Sequence, residues 1–261
     1  HMAWLLEISR NGEDVYPIIR KRAQEGPIYA PTLALRELHP EYADRIPSVA
    51  EQFTPDNHHD MVRFEIMKQF GYFVTESSEH SSEYYPWFIK KDHPELIDRF
   101  HIPLDEYPRR CRDQIARWKQ QAEHLVHNEN LTHTRSSEYA AGIIEALETG
   151  RTFGFAGNVL NTGLIDNLPF DACVEVSCMV NEGHLSPCHM GPLPNQLAAL
   201  NRRQIEVHQL TVDAALTRKK EYIYQAAMLD PHAGSELTID EIRSLVDDLI
   251  QAHGDWLPEY H

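Results

Sequence analysis

Apolar side chains recur every three or four positions along much of the chain, and this spacing predicts a mainly helical protein. Residues 56–70 are the clearest case, because Met61, Phe64 and Met67 share one side of a helix that Gly71 would end. The other predicted helices follow the same spacing and similar start and stop signals. Helices are predicted at residues 14–23, 56–70, 105–128, 136–150 and 193–230, and from Thr238 as an N-cap onward.

Strand-like segments are fewer and shorter than the helical ones. Residues 4–8 are apolar enough for a short buried strand, and Asn11-Gly12 after them is a turn signal. Residues 151–160 and 172–180 are predicted strands, because compact or β-branched side chains are bounded there by breaks. The predicted fold is therefore α+β, mainly helical with a small mixed or antiparallel sheet.

Prolines make residues 27–50 irregular, with at best short helices between them. The sequence has no G-x-G-x-x-G after a strand and no P-loop. A self-contained dinucleotide-binding domain is therefore not expected in this chain.

Composition and charge narrow the class of protein. The chain has 261 residues, of which 42% are hydrophobic and 25% charged, as in globular proteins with a sizeable core. The formal charge of -16 argues against nucleic acid or an anionic membrane as a partner, since both would repel it. The 4 cysteines show no CxxC spacing, so free thiols and a cytoplasmic location are expected. No stretch approaches the roughly 18 apolar residues of a membrane helix.

The first stretch with candidate chemistry is residues 71–84, which follow an apolar helix directly. It contains Tyr72, Tyr84, Glu76, Glu79 and His80 beside several serines. Carboxylates and hydroxyls suit the many hydroxyl groups of a sugar, and one of these groups could act as a general base. The alternative is a solvated loop with a helix cap, because Ser-Ser-Glu is common at helix starts.

The second stretch is residues 157–169. Asn158 and Asn161 can offer a ligand both donors and acceptors, while Gly157 and Gly163 permit close backbone approach. The alternative is a turn-rich connection between strands, in which Asn and Gly are also common.

Taken in order and spacing, these stretches resemble glycoside hydrolase family 4 and, within it, the α-galactosidase branch. The resemblance spans essentially the whole chain, and the opening His1-Met2-Ala3-Trp4 resembles the second half of a Gly-x-Asn-His motif. It is strongest at residues 71–84, 157–169, 174–176, 191–194 and 199–201, and in the tail from Asp230-Pro231 to Trp256-Leu257-Pro258.

The resemblance implies that residues 1–261 form the C-terminal substrate- and metal-binding and oligomerisation domain of such an enzyme, without the NAD-binding domain. Its fold would be similar to the C-terminal domain of lactate and malate dehydrogenase-like proteins. In the family, NAD takes a hydride from C3 of the sugar, a divalent metal, typically Mn²⁺, binds the C2 and C3 oxygens, and a base removes the C2 proton so that the aglycone leaves. Water then adds and the redox step reverses.

Carried over by position, His1 matches a metal ligand of the family. The base is a tyrosine in many members, which makes Tyr72 and Tyr84 candidates, with Glu76 or Glu79 as substitutes. Asn158 and Asn161 are candidates for sugar contacts, as is His80 from its cluster. The sequence leaves open whether His1 is native or a cloning remnant.

The implied substrate is an α-galactoside, and this chain alone is expected to be inactive, because the family's catalytic groups are divided between two halves. Alternatives are an α-glucosidase, α-galacturonidase or 6-phospho-α-glucosidase half, a generic dehydrogenase C-terminal domain, and an oligomerisation domain. In the last, helices at residues 105–128 and 193–230 would pack across a symmetry axis of a homo-oligomer.

Overall fold

The structure, a computed structural model, describes residues 2–25, 60–128, 130, 132, 136 and 138–261. The predicted irregular segment at 27–50 and the predicted helix start at 56–59 lie outside these residues. The helices are α1 (Tyr16–Glu25), α2 (Met61–Phe70), α3 (Ser78–Tyr84), α4 (Glu95–Arg99), α5 (Glu106–His127), α6 (Ala140–Thr149), α7 (Asn195–Thr217), α8 (Lys220–Leu229), α9 (Ala233–Glu236) and α10 (Ile239–His253), with a 3₁₀ turn at Gly254–Trp256.

The described strands form three small sheets. They are β1 (Trp4–Leu5), β2 (Ser9–Arg10), β3 (Glu13–Asp14), β4 (Phe73–Val74), β5 (Phe153–Leu160), β6 (Cys173–Asn181) and β7 (His184–Pro187). Strand β1 pairs antiparallel with β4, β2 pairs antiparallel with β3, and the third sheet has the order β5-β6-β7. The prediction of a mainly helical α+β fold with small sheets is confirmed.

Several helix ends lie where the sequence signals place them. Gly71 and Gly150 follow α2 and α6 in the left-handed region, at φ 82° and 74°, which a glycine adopts without strain. Thr238 caps α10 through a capping box with Glu241. Asn11 and Gly12 both have positive φ, as a tight turn between β2 and β3 requires.

The predicted helix at residues 193–230 is wrong in one respect, because two helices occupy this segment. Arg218 has a φ of 62°, which ends α7, and α8 begins at Lys220. The C-terminal residue stabilises this break: His261 N donates to Arg218 O at 2.9 Å, and Lys220 N donates to His261 O at 2.8 Å. The break therefore depends on a partner far along the chain.

The chain divides into two compact units, for which the sequence shows no boundary. The first comprises residues 1–102, 160–173 and 191–261. Its core contains buried side chains from β1, α2, β4 and α7 together with three aromatic residues and one isoleucine of the segments between them. They are Trp4, Val62, Ile66, Val74, Tyr85, Phe88, Phe100, Ile102 and Leu197.

The second unit comprises residues 103–159 and 174–190. Along β6, buried and exposed side chains alternate, as expected for a strand with one covered face. Gly142 on α6 lies against Phe153, since a Cβ at this position would come within 2.6 Å of the ring. Helix α5 has no buried residue, which agrees with its charged sequence. Among the residues that the structure describes, none of the helices combines the length and apolar character needed to cross a membrane.

Candidate active site

The pairing of β1 with β4 brings the start of the chain beside the polar stretch at residues 75–84. Trp4 lies opposite Val74 and Leu5 opposite Phe73. The contact continues past the strands, because Thr75 donates to Ala3 O from its backbone N at 3.0 Å and from its Oγ1 at 3.1 Å. Two segments that are about seventy positions apart in the sequence are thus held together by strand pairing.

Helix α7 supports the same segment. Asn201 Oδ1 accepts a hydrogen bond from Trp4 Nε1 at 2.9 Å, and its Nδ2 donates to Met2 O at 3.0 Å. The amide oxygen therefore accepts a hydrogen bond from an indole, and the amide nitrogen donates one to a backbone carbonyl. These two partners lie within three residues of each other in the sequence. His1, the predicted metal ligand, lies outside the described residues.

The polar stretch itself is a short capped helix. Ser77 is the N-cap of α3, and its Oγ accepts a hydrogen bond from His80 N at 3.2 Å. The buried residues of this helix are Ser78, Ser81 and Ser82. The helix cap proposed as the alternative for residues 71–84 is confirmed. The cap does not exclude a catalytic or binding role for this stretch, because it leaves the acidic side chains on the outer face of the helix.

Of the described residues, Glu79, His80 and Glu83 form a group whose ligand atoms lie within 4.8 Å of one another. His80 Nδ1 is 3.0 Å from Glu83 Oε2. That hydrogen bond raises the pKa of His80, and the negative charges of Glu83, Glu76 and Glu79 act in the same direction, against a smaller opposing effect of burial. Carboxylates are ligands that Mn²⁺ accepts, so the donor types of this group fit that ion.

Tyr84 lies at the end of the same helix and faces negative charge. Its ring stacks on that of His80, with centroids 6.1 Å apart. Burial raises the pKa of Tyr84, and the carboxylates of Glu76 and Glu83 raise it further. Because its raised pKa keeps the phenol protonated, Tyr84 is poorly placed to act as the general base.

Tyr72 lies in a different environment, next to a cation. The guanidinium carbon of Arg20 is 4.9 Å from the centroid of the Tyr72 ring and 4.4 Å from that of Tyr16. Tyr16 is fully buried, and its hydroxyl accepts a hydrogen bond from Phe73 N at 2.6 Å, which fixes the backbone directly after Tyr72. Arg20 was not predicted as a site residue; the only signal for it is its position one helical turn after Tyr16.

The two glutamates proposed as substitute bases are both half-buried. Glu76 Oε1 accepts a hydrogen bond from Ser77 N at 2.8 Å, so this carboxylate contributes to the helix start. Glu79 belongs to the group with His80 and Glu83 described above. Of these two glutamates, Glu79 is the one that belongs to this group of candidate ligands.

Asn161 is fully buried, and its side chain organises the loop that follows β5. Its Nδ2 lies 2.9–3.1 Å from the carbonyl oxygens of Ile165, Leu168 and Pro169, and its Oδ1 accepts from Ile165 N at 2.7 Å. Both polar atoms of the Asn161 amide are thus hydrogen-bonded within the loop. A sugar contact from Asn161 stays a prediction, and these surroundings do not favour it.

Two further asparagines complete this stretch. Asn167 donates to Leu193 O at 2.8 Å and accepts from Leu193 N at 3.0 Å, as a backbone residue in a strand would. Asn158 is exposed on β5 and belongs to the second unit, whereas the other described candidates belong to the first. The turn-rich connection proposed as the alternative therefore describes Asn161 and Asn167 well.

Comparison with known proteins identifies the family. Residues 1–233 match the model of the family 4 glycosyl hydrolase C-terminal domain. The chain belongs to family 4 of the glycosyl hydrolases. The match confirms the family resemblance that the sequence motifs indicated.

Relatives with assigned activities match along the whole chain. An α-galactosidase from Bacillus subtilis is 54% identical over 260 residues, which is 100% of this chain and 54% of that protein. An α-galactosidase from Rhizobium meliloti is 28% identical over 100% of this chain and 49% of its own length. The chain spans about half the length of these curated relatives.

Solved structures share the fold at low sequence identity. A 6-phospho-α-glucosidase from gut microorganisms, in complex with NAD and Mn²⁺, has a TM-score of 0.62 at 20% identity, with 100% of this chain and 55% of that one covered. A 6-phospho-β-glucosidase from Thermotoga maritima, with manganese, NAD⁺ and glucose-6-phosphate, has a TM-score of 0.63 at 16% identity, with 100% and 52% covered. This family 4 chain therefore has the fold of a family 4 C-terminal domain.

Proposed function

We propose that this chain is the catalytic and substrate-binding half of an NAD- and Mn²⁺-dependent α-galactosidase. The observation that carries the proposal is the 54% identity to an α-galactosidase over 100% of the chain. Relatives named α-galacturonidase are less similar, at 24% and 26% identity. The proposed substrate class is therefore an α-galactoside, with an α-galacturonide as the alternative.

Within this half, we assign different roles in the reaction to different described residues. Tyr72 is the proposed base for the C2 proton of the sugar, because its ring lies against the Arg20 guanidinium while Tyr84 faces carboxylates. Glu79 and His80 lie on the adjoining helix, where a carboxylate and an imidazole can bind sugar hydroxyl groups.

The metal ligands proposed here are of two kinds. His1 is proposed from the family resemblance alone. Glu79, His80 and Glu83 are the alternative group, proposed from the closeness and chemical type of their ligand atoms, and in that case Glu79 and His80 would bind the metal in place of the sugar hydroxyl groups. Mn²⁺, when bound, would stabilise negative charge on the sugar oxygens as a Lewis acid.

NAD does not fit the residues of this chain. The sequence contains no dinucleotide-binding glycine motif, and the pairings established among the described strands are antiparallel. We propose that the dinucleotide is bound by the part of the protein that corresponds to the unmatched half of the relatives. This division predicts that the present chain alone is inactive.

The test is an activity assay on two polypeptides. One is this chain, and the other is the complete polypeptide from the reading frame that contains it. Each is mixed with nitrophenyl α-galactoside, NAD⁺, Mn²⁺ and a reductant. We expect turnover only in the sample with the complete polypeptide, and we expect EDTA to abolish that turnover.

Turnover by this chain alone would contradict the division of the site. Turnover of an α-glucoside, α-galacturonide or phosphorylated glucoside in preference to the α-galactoside would contradict the proposed substrate.

A second proposal, compatible with the first, is a homo-oligomer with contacts through α5. Ile115 and Trp118 on this helix are 58% and 61% exposed, and the helix carries five basic and three acidic side chains. Because the chain as a whole has a charge of -16, a second copy would attract a helix with an excess of basic side chains. Light scattering should show an oligomer that Trp118→Glu reduces to a smaller species; an unchanged mass would contradict this contact.

The expected cytoplasmic location is also a proposal. The structure describes Cys111, Cys173, Cys178 and Cys188 as free thiols, which suits a reducing compartment. A fusion to a fluorescent reporter, followed by fractionation, would test it.

A further inference from the structure

Helix α5 carries an apolar stripe that the described part of the chain leaves exposed. The stripe consists of Ile115, Trp118 and Leu125, which recur at helical spacing and are all exposed. The helix has 22 residues, and none of them is buried. Since a helix with one apolar face is stabilised mainly by packing that face, the α5 stripe is suited to contact with another surface.

Basic side chains border the α5 stripe. Arg112 and Lys119 are both exposed, and their separation of seven residues places them on the same side of the helix. Each of them lies within about one turn of Ile115. Seven residues of helix rise by roughly 10 Å, which is the distance between these two cationic positions along the axis.

Helix α10 has the same arrangement with the opposite charge. Leu245 and Leu249 form a strip beside the buried side of this helix and are 41% and 49% exposed. Glu241 and Asp248 are exposed, are again seven residues apart, and each lies within about one turn of Leu245. Glu241 also closes the capping box at the start of α10.

Charge and apolar surface therefore match between the two helices. Helix α5 carries five basic and three acidic side chains, whereas α10 carries four acidic and one basic. Because the bordering charges have equal spacing, two ion pairs can form beside one apolar contact, as they do beside the seam of paired helices. Two copies of α5 would instead bring basic side chains together.

We propose that two copies of this chain associate reciprocally, with α5 of each copy packed on α10 of the other. The proposal rests on the homo-oligomer proposed above and names the surface that α5 contacts in it. A reciprocal contact uses the same pair of surfaces twice, which closes the assembly as a dimer. Helix α10 follows residues 1–233, which match the family model, so the contact is proposed for this chain and not for the family at large.

The test reverses one charge on each helix of the complete polypeptide. Lys119→Glu places an acidic side chain opposite α10, and Asp248→Lys places a basic one opposite α5. Each variant alone then has like charges at both contacts of the dimer, whereas a mixture of the two variants pairs opposite charges at both. Arg117→Glu is the matched control, because Arg117 is exposed on the side of α5 away from the stripe.

Sedimentation velocity measures the Kd of the dimer. We expect each single variant to raise this Kd about tenfold or more, and we expect the mixture to return it close to the parent value. The control should leave the Kd nearly unchanged. Circular dichroism checks that each variant is folded, and Lys119→Gln with Asp248→Asn, which remove the charges without reversing them, should give smaller increases.

The contrary outcomes are distinguishable. Weakened single variants that do not recover on mixing would show that α5 and α10 do not meet between copies. A Kd that responds to Lys119→Glu and not to Asp248→Lys would keep a contact through α5 and remove α10 from it. A parent protein that is monomeric at every concentration would overturn this inference and the proposed homo-oligomer together, and would leave the proposed α-galactosidase activity standing.

Discussion

Trp4 Nε1 donates a hydrogen bond to Asn201 Oδ1 across 2.9 Å, although 197 positions separate the two residues. Trp4→Phe removes this donor and part of a ring that is only 8% exposed. We expect the free energy of unfolding to fall by about 1–3 kcal/mol, because a buried hydrogen bond is lost and the core is less well filled. Urea unfolding followed by circular dichroism measures it.

Trp256→Phe is the control for that prediction. Trp256 is 93% exposed, so its replacement should change the free energy of unfolding by no more than about 0.5 kcal/mol. Equal effects of the two substitutions would show that the buried contact adds no stability.

Asn161 should matter for stability more than for binding. Asn161→Asp keeps an acceptor for Ile165 N but loses the donor that faces three carbonyl oxygens. The new carboxylate would be buried among acceptors, so we expect a loss of roughly 2 kcal/mol or more in the free energy of unfolding. Thermal and urea unfolding of the chain would measure this loss.

Asn158→Asp provides the matched comparison, because Asn158 is exposed on β5. It should leave stability nearly unchanged. If Asn161→Asp were equally harmless while it abolished sugar binding by the complete polypeptide, the original prediction of a sugar contact would be supported instead.

The His80–Glu83 pair should make stability depend on pH in a defined direction. The pKa of His80 is raised, chiefly by its hydrogen bond to Glu83, so the protonated form is favoured in the folded state. The stabilisation is therefore fully present below the unfolded pKa of about 6.5 and is lost as the pH rises through the higher folded value.

Glu83→Gln should lower the pKa of His80 in an NMR titration of its ring protons. The stability difference from the parent protein should be largest near pH 5.5 and should vanish at alkaline pH. Glu65→Gln, on a different helix, should leave the His80 titration as it is. A stability difference that grew with pH would contradict this account.

The two tyrosines should differ in their effect on turnover. In the complete polypeptide, Tyr72→Phe should reduce kcat by about 10²–10⁴-fold, the usual contribution of a general base. Tyr84→Phe should cost much less, since burial and neighbouring carboxylates hold the pKa of Tyr84 above its ordinary value. Steady-state kinetics with an α-galactoside would give both kcat and KM.

Arg20→Met extends the same comparison. It removes the cation beside the Tyr72 ring while keeping an unbranched side chain, so kcat should fall if Tyr72 is the base. A large loss for Tyr84→Phe with full activity for Tyr72→Phe would assign the base to Tyr84.

Many helix ends were predictable because their signals are local. Gly71, Gly150 and Thr238 each end or begin a helix where the sequence indicates, since a left-handed glycine or a capping hydroxyl acts within one turn. The break at Arg218 was not predictable, because the contacts that stabilise it come from the last residue of the chain. The short strand β7 lacked any alternating pattern, and all four of its residues are exposed.

The sequence by itself determined the helical character, the α+β class, the family and the stretches that carry candidate chemistry, because periodicity and motif order are properties of neighbouring residues. Only the tertiary structure decided which residues of those stretches have surroundings that suit a general base or a sugar contact. It placed Arg20 beside Tyr72, turned carboxylates toward Tyr84 and used the Asn161 amide to hold a loop. These outcomes depend on burial and on charges brought close by packing across long separations, and no local pattern encodes them.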